Sequence, residues 1–405
     1  MCIIQDSKED KDALIRQMHE IFACAQVTIA ASKASRCTEG FLAPRFNAPK
    51  VYVTIQDHIE THNVGPSRVV LMPSSKRHVE PLVTRTWTLQ ETLLSRRVLS
   101  YGSWQLHWYC GVRKRFGGRV SYSDASNRAS FQTLEERHFE TPRTSSSILR
   151  WIEIVQQYAM REMSEPSDKL IAISAVAQRF VSLTEGRWGL YYAGIWRERF
   201  FEQLLWATSK GQIAKRPVQY RAPSWSWAAI DGRLDWPSTG ELINAEILCT
   251  LLDVGIQPLR SKQPYGAVTT RRIKVHGEFK RVLWSADRKT VKDNENQAAV
   301  TRGFMQTYPD VREHDAHDMT VHVLKVAMCY SRRFGIRCGL NKLERHVEGI
   351  LLEHIGNEVY QRVGVMGLRS IEEGKISSPG WWEQSFLESR QWWSEGFASK
   401  EIYII

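Results

Sequence analysis

The spacing of apolar residues changes near residue 222, and this change restricts the folds that the chain can adopt. Before that point, apolar residues recur every three or four positions, as in amphipathic helices, most clearly over residues 86–94, 148–163 and 169–181. After it, short runs alternate apolar with polar side chains, as strands with one buried face do. The pattern predicts an α/β N-terminal region, a helical middle segment and an antiparallel β-rich C-terminal region.

A polar stretch between these regions sets the expected domain boundaries. The chain has 405 residues, enough for two or three domains of about 100–200 residues each. Residues 111–146 are rich in Arg, Ser and Gly and predict a loop. A third helix is expected over residues 191–207, and a mobile charged loop over residues 286–320. The expected segments are an α/β domain, a linker, a helical segment and a β-rich domain, at residues 1–112, 113–146, 147–215 and 220–405 respectively.

Composition and charge exclude several classes of protein. Hydrophobic residues make up 42% of the chain and charged residues 24%, close to a globular average, which excludes a disordered chain or a coiled-coil rod. No apolar run reaches the roughly 18 residues that suggest a membrane-spanning helix. Seven scattered cysteines fit the free thiols of a cytoplasmic protein better than a disulfide framework. The net charge of +11 is spread along the chain, so we expect protein partners rather than a specific nucleic acid.

Common catalytic and metal-binding signatures are absent from the sequence. It contains no G-x-x-x-x-G-K-[ST], G-x-G-x-x-G or G-x-S-x-G motif, and no C-x-x-C or H-E-x-x-H pair. The histidines of residues 314–322 lack the spacing of a closed zinc site, so we expect no metal. The 15 tryptophans include doublets at residues 381–382 and 392–393. Exposed tryptophans can stack on sugars or bases, but we favour a role in filling the core of the β-rich region.

The first of two segments with candidate site residues lies at the start of the chain. An apolar run at residues 2–4 ends in Gln5 and Asp6 and leads directly into a helix. The carboxyl ends of strands are where α/β sheets bind ligands. Asp6 is therefore either a site residue or a cap of the following helix, and the residue types do not separate these two roles.

The second segment, residues 85–91, places a glutamate within a short apolar helix. Trp87 and Glu91 are four residues apart, so they share one helix face. A carboxyl group packed beside an indole can have a raised pKa and can act as a general acid or base. Alternatively, Glu91 forms a structural ion pair with Arg85 or Arg97, and the residue types alone slightly favour this alternative.

Both segments resemble the heterokaryon incompatibility (HET) domain of filamentous fungi. One block of that domain typically reads W-I-D-x-L-C-I-x-Q-D, and residues 2–6 match its end. Another reads R-x-W-T-x-Q-E with an L-S-x-R-V-L-like tail, and residues 85–91 and 94–99 match it closely. The motif positions in this chain are Cys2, Gln5, Arg85, Trp87, Gln90 and Arg97. Further downstream, the chain also resembles long members of the family at residues 168–170, 192–196 and 222–228.

The resemblance implies a fold, a role and candidate site residues. Residues 1–112 would form the C-terminal part of a HET domain, with a partial sheet like that of Toll/interleukin receptor domains. Some members of that fold cleave NAD with a glutamate. By this analogy Glu91 is the candidate catalytic residue, Asp6 is a second candidate, and NAD is the candidate substrate. The implied role is fungal non-self recognition, similar to innate immunity, in which the domain triggers programmed cell death.

One departure from the family pattern affects what we expect of this chain. The family's first block, an L-S-Y-x-W-G-like segment, and the W-I-D before Cys2 have no counterpart in the sequence. We therefore expect the chain to begin inside the HET domain and to lack NAD-cleaving activity in this form. The alternative function is a non-catalytic module that binds other proteins or itself, or that regulates intact HET proteins.

Overall fold

A computed structural model describes most of the chain as two compact units. The first unit comprises Met1–Glu136 with Arg161–Met163, and the second comprises Arg137–Met160 with Ser164–Ile405. The described residues are 7–44, 51–55, 67–71, 79–104, 106–110, 113–116, 144–209, 214–237, 245–269, 272–285, 291–293, 305–311, 317–334, 341–370 and 392–405.

Helices and a small mixed sheet form the first unit. Its helices are α1 (Lys8–Cys24), α2 (Pro81–Thr84) and α3 (Trp87–Leu94). Its strands are β1 (Thr28–Ala30), β2 (Val51–Ile55), β3 (Ser67–Leu71), β4 (Arg97–Tyr101), β5 (Leu106–Cys110) and β6 (Arg113–Phe116). Four strands form a sheet in the order β1-β4-β5-β6, in which only β1 and β4 are parallel, while β2 and β3 form a separate hairpin.

The apolar pattern places these elements close to their observed positions. Leu89 and Leu93 of α3 are buried, as are Ile15 and Met18 of α1, and the two helices are in contact. Strands β4 and β5 form the hairpin that the apolar runs at residues 97–101 and 104–110 predict. Because the described sheet has a single parallel pair, it does not by itself establish a likeness to Toll/interleukin receptor domains.

The second unit begins with helices that pack around tryptophans. Its helices are α4 (Thr144–Ala159), α5 (Ile171–Leu183) and the single turn α6 (Phe200–Gln203). The prediction of a third long helix over residues 191–207 is wrong. Its place is taken by a short hairpin, β7 (Tyr191–Tyr192) and β8 (Ile195–Trp196), followed by α6 and by β9 (Ala207–Thr208).

Backbone conformation explains why residues 191–207 do not form a helix. Ala193 and Gly194 have φ values of 46° and 101°, which no right-handed helix accommodates. A Cβ atom at Gly194 would lie 2.5 Å from Nε1 of Trp227, so only glycine fits. The carbonyl of Gly194 accepts hydrogen bonds from the indole N–H groups of Trp151, at 3.1 Å, and Trp227, at 2.9 Å. Packing of these indoles therefore overrides the helical periodicity.

Tryptophans fill the interior of the second unit, in its helical part as well as in the β-rich region where they were expected. The indoles of Trp151 and Trp196 contact edge to face, with ring centroids 5.5 Å apart. Trp392 and Trp393 are buried against the strands of the large sheet, which confirms a core role for this doublet. The other doublet, at residues 381–382, lies outside the described residues. The fully buried tryptophans are Trp151, Trp196, Trp206, Trp225, Trp227 and Trp284.

A large, mainly antiparallel sheet forms the rest of the second unit and confirms the predicted β-rich character. Strand β10 (Leu234–Asp235) pairs with β9. The nine strands of the large sheet are β11 (Glu246–Ile247), β12 (Thr250–Gly255), β13 (Arg272–Trp284), β14 (Val291–Asp293), β15 (Met305–Pro309), β16 (Met319–Phe334), β17 (Asn341–Gly356), β18 (Val359–Ser370) and β19 (Ala398–Ile404). Because β13 pairs with both β16 and β19, the strands β13, β16, β17, β18 and β19 close on themselves and leave few free edges.

Part of the expected mobile loop over residues 286–320 is ordered structure. Strand β14 pairs with β13, and β15 pairs with β18, so both add to the large sheet. Charged residues are frequent in this region of the sequence, and the two strands within it are only three and five residues long. Strands this short carry too few side chains for alternation to be recognised.

A buried arginine on β18 links distant parts of the second unit. Arg362 and Asp310 are both fully buried, and the guanidinium donates to the two carboxylate oxygens, at 3.1 Å each. The same guanidinium donates to the main-chain oxygens of Leu204 and Trp206 and lies 3.4 Å above the Trp206 ring. These contacts offset the large desolvation penalty of a buried charge.

Removing this guanidinium should strongly destabilise the second unit. The Arg362→Met variant leaves the Asp310 carboxylate and two carbonyls without their donor, so we expect a loss of about 3–5 kcal/mol in the free energy of unfolding. Denaturant titration monitored by tryptophan fluorescence measures this loss. Arg187→Met, which breaks the exposed pair with Glu185, is the control and should stay within about 0.5 kcal/mol of the parent. A loss below about 1 kcal/mol for Arg362→Met would contradict the central role of this pair.

A histidine packed among aromatic rings should make the stability of the large sheet depend on pH. The His322 ring stacks on Phe279, with centroids 4.6 Å apart, and meets Tyr360 edge-on at 5.2 Å. Its Nδ1 atom is buried and has no hydrogen-bond partner among the described residues. Burial, together with the charges of His354, Arg281 and Lys400, lowers the pKa of His322 to about 4, while the charge of Glu358 acts in the opposite direction.

Stability should therefore fall as the pH decreases from about 6.5 to about 4. In this window the unfolded chain binds a proton at this histidine and the folded chain does not, so protonation favours unfolding. His322→Phe keeps the stacking and removes the titration. Melting temperatures measured from pH 7 to pH 4 should decline less steeply for this variant than for the parent. The exposed His276→Phe is the control, and an unchanged slope for His322→Phe would rule out His322 as a source of acid lability.

Candidate functional site

Helix α3 carries most of the candidate residues and turns one face into the first unit. Its buried side chains are Thr88, Leu89, Gln90, Leu93 and Leu94. Trp87 and Glu91, one turn apart, are both half-buried at the edge of this face. Arg85 has an extended backbone and separates α2 from α3, which explains why the helix begins only after it.

A short distant segment, residues 161–163, holds the start of α3. The main-chain N–H of Thr86 and its hydroxyl both donate to the Glu162 carbonyl, at 3.0 and 2.6 Å. In return, the N–H of Glu162 donates to the Thr84 carbonyl at 2.6 Å. The first N–H groups of a helix have no partner within the helix, so these contacts satisfy a group that would otherwise need water.

Arg161 adds a side chain to the same contact. Its guanidinium donates to the Arg85 carbonyl at 3.1 Å and to the Thr88 hydroxyl at 2.9 Å. The Thr88 hydroxyl in turn donates toward the Leu82 and Arg85 carbonyls, at 2.7 and 2.8 Å. The first turn of α3 therefore lies within a continuous polar network.

The Glu91 carboxyl group stands apart from this network. Among the described residues it forms no hydrogen bond and no ion pair, so the alternative of a structural pair with Arg85 or Arg97 is not realised there. Arg97 instead donates to the Gln26 carbonyl at 3.4 Å. Burial raises the pKa of Glu91, while the charges of Arg85 and Arg161 act in the opposite direction.

The remaining motif residues are one buried glutamine and three residues that lie outside the described part of the chain. Gln90 is buried, its amide N–H₂ lies 3.2 Å from the Met18 sulfur, and its Oε1 has no hydrogen-bond partner among the described residues. Asp6, Cys2 and Gln5 lie outside the described residues. The structure therefore brings Arg85, Trp87, Gln90 and Glu91 together on or beside α3, and the place of Asp6 stays a prediction.

Arg161 and Thr88 are contributors that sequence reasoning missed. Thr88 lies inside the recognised motif, but a threonine in a helix gives no sign of its hydrogen-bond partners. Arg161 is 73 residues further along the chain than Thr88, at the end of a helical pattern. No spacing rule connects two such positions, so only the fold identifies the contact.

A second polar cluster, at the downstream motif around Lys169, has a structural role. The buried Lys169 amine donates to Asp231 at 2.7 Å and to the Ile230 carbonyl at 2.5 Å, and Arg221 also binds the Asp231 carboxylate. Burial lowers the pKa of Lys169 to about 8, while Asp231 raises it. The Lys169 amine is fully engaged with a main-chain carbonyl and a carboxylate. This cluster therefore stabilises the segment around Ile230 and Asp231 rather than forming a reactive site.

Metal and membrane sites are not apparent in the part of the chain that the structure describes. No three His, Cys, Asp or Glu side chains there are placed to hold a metal ion. No helix there is both long enough and apolar enough to cross a bilayer. The chemistry available at α3 is that of one carboxyl group beside two guanidinium groups.

Comparison with known families identifies this region. Residues 1–91 match the family model described as heterokaryon incompatibility protein (HET), and the match ends at Glu91. The chain is therefore a HET domain-containing protein. No curated protein and no solved structure matches it in the corresponding comparisons.

Replacing Glu91 should stabilise the protein at neutral pH. A raised pKa means that ionisation of Glu91 is less favourable in the folded state, so Glu91 reduces stability as the pH rises above about 4.5. Glu91→Gln removes this effect, and we expect a melting temperature about 1–3 °C above the parent at pH 7.5. The gain should shrink as the pH falls below about 4.5, because the carboxyl group becomes increasingly neutral in both states. A lower melting temperature at pH 7.5 would indicate that Glu91 is a structural ion-pair residue.

Proposed function

We propose that this protein acts in heterokaryon incompatibility, the response in which fused fungal cells recognise non-self and die. The HET match over residues 1–91 supports this proposal. In this proposal the first unit is a cytoplasmic effector that triggers programmed cell death. It responds to a protein partner or to a second copy of the chain. The non-catalytic alternative has no observation of its own among the described residues.

One observation carries the proposal that Glu91 is the reactive group. Its carboxyl is half-buried, has a raised pKa and lacks an ion pair in the described part of the chain. Such a group changes protonation closer to neutral pH than an ordinary glutamate does, which suits a general acid or base. A direct ion pair would remove this property, because it would hold the carboxylate in its charged form.

NAD is the substrate that we propose, by analogy with Toll/interleukin receptor-like domains. In NAD hydrolysis, the bond between nicotinamide and ribose breaks and water adds to the ribose carbon. The products are nicotinamide, ADP-ribose and a proton. Glu91 would accept the proton of the attacking water. The guanidinium group of Arg85 suits an anionic substrate, since guanidinium binds phosphate oxygens strongly.

Expression in a fungal host tests the cell-death role. Induced expression of the full chain should arrest growth, and Glu91→Gln should relieve the arrest at equal protein level. Glu20→Gln is the matched control, because Glu20 is an exposed glutamate on α1 in the same unit. Arrest that is the same for the parent and Glu91→Gln would remove Glu91 from the killing reaction. If expression of the parent chain leaves growth unchanged, that result would contradict the effector role itself.

An assay of the purified chain with NAD tests the substrate separately, because the sequence pattern predicts that this form lacks NAD-cleaving activity and the environment of Glu91 favours the opposite outcome. Nicotinamide release, followed by chromatography, should fall at least about 100-fold in Glu91→Gln, the lower end of the effect of losing a general acid or base. Growth arrest that depends on Glu91 without nicotinamide release would keep Glu91 as the reactive group and exclude NAD as its substrate.

A further inference from the structure

The polar contacts at the start of α3 come from a segment that the family match does not cover. The match ends at Glu91, whereas Arg161 and Glu162 lie far downstream, yet both belong to the first unit. Glu162 contributes only main-chain groups, which accept from Thr86 and donate to Thr84. Arg161 is different, since it contributes a charged side chain.

Geometry fixes where the Arg161 guanidinium lies. Two of its hydrogen bonds, to the Arg85 carbonyl and the Thr88 hydroxyl, attach it to the turn of α3 that precedes Glu91. Thr88 lies in the first turn of α3, and its main-chain carbonyl accepts a hydrogen bond from the Thr92 hydroxyl of the next turn, at 2.9 Å. The guanidinium is thus tied to the same helix as the carboxyl group, and it approaches that carboxyl closely enough to influence it without forming an ion pair.

We propose that Arg161 is a positioning residue of the Glu91 site, which holds the first turn of α3 in place and sets the charge environment of the Glu91 carboxyl. The proposal rests on the proposed role of Glu91 and extends it to a residue outside the recognised domain. Arg161 acts through Glu91 and need not touch the substrate.

The charged groups around Glu91 make this assignment specific. Among the residues that the structure describes, Arg85 and Arg161 are the charged residues that influence the Glu91 carboxyl. Helix α1, which packs against α3, carries Arg16, His19 and Glu20, but His19 is engaged with the Arg16 carbonyl and with Glu20. Removing Arg161 removes one of the two described cations that act on Glu91, so the carboxyl should hold its proton to higher pH.

Chemical labelling of Glu91 in the full chain measures this change without any enzymatic assay. A water-soluble carbodiimide modifies carboxyl groups in a protonation-dependent manner, and peptide mass spectrometry quantifies labelling at Glu91 from pH 4 to pH 8. Arg161→Gln should raise the midpoint of this profile by about half a pH unit or more. Arg161→Lys, which keeps the charge, should restore most of the parent midpoint.

Controls separate a positioning role from a structural one. Arg96→Gln removes an exposed arginine just beyond α3 and should leave the midpoint unchanged. If Arg161→Gln does not fold, as judged by circular dichroism, Thr88→Val serves as the second variant, because it removes the hydroxyl that orients the guanidinium. Thr88→Ser keeps that hydroxyl and is its matched control. The Thr88→Val midpoint should rise above that of Thr88→Ser.

The outcomes distinguish this proposal from the proposed function. An unchanged midpoint in a folded Arg161→Gln variant, or in Thr88→Val relative to Thr88→Ser, would overturn the role of Arg161. A raised midpoint supports that role even if the parent neither arrests growth nor releases nicotinamide. The labelling profile therefore tests the site, while the growth and NAD assays test the reaction.

Discussion

A single buried arginine sets the arrangement of the second unit. Arg362 lies on a strand, yet its four N–H···O bonds reach a carboxylate after β15 and two carbonyls around the end of α6. The main-chain N–H of the same residue donates to the Ser224 hydroxyl, which in turn donates to the Ile405 carbonyl. Segments that are distant in sequence must therefore meet at this side chain, because a buried guanidinium without these partners would be very unfavourable. Apolar packing alone has no such directional requirement, so the arginine selects one arrangement among many compact ones.

A comparable requirement operates at the start of α3 in the first unit. Helix N-termini present N–H groups without internal partners, and here the Glu162 main chain provides one of the missing acceptors. The residues that do so are separated in sequence from the helix but grouped with it in space. The candidate site is thus a composite, in which the recognised motif provides the carboxyl group and a downstream segment provides part of its support. A HET-type motif read in isolation would not include that segment.

The sequence predicts most of the regular elements and fails where tertiary contacts override local preference. Helix α3 and the β4–β5 hairpin follow from periodicity, since their buried faces are long enough to be recognised. Residues 191–207 have helical spacing, but the turn at Ala193 and Gly194 is dictated by the indole of Trp227 against Gly194, which no local pattern reveals. At the proposed site, the resemblance suggested Glu91 and its neighbours on α3. It could not identify Arg161, because hydrogen bonds between distant positions leave no trace in spacing.

The arrangement around Glu91 differs from what structural stability alone would produce. Two guanidinium groups influence its carboxyl, and a direct ion pair with either would hold it charged and remove the penalty of its burial. Arg161 instead directs hydrogen bonds to a carbonyl and a hydroxyl, and Arg97 donates to a carbonyl elsewhere. Arg161 thereby holds the first turn of α3, and the charges of Arg85 and Arg161 limit the rise in the pKa of Glu91. The Glu91 carboxyl itself stays unpaired among the described residues. A carboxyl kept half-buried and unpaired at a local loss of stability is typical of groups that take part in proton transfer. This balance, rather than the identity of any one residue, is the physical argument behind our proposal that Glu91 is the reactive group of the HET region.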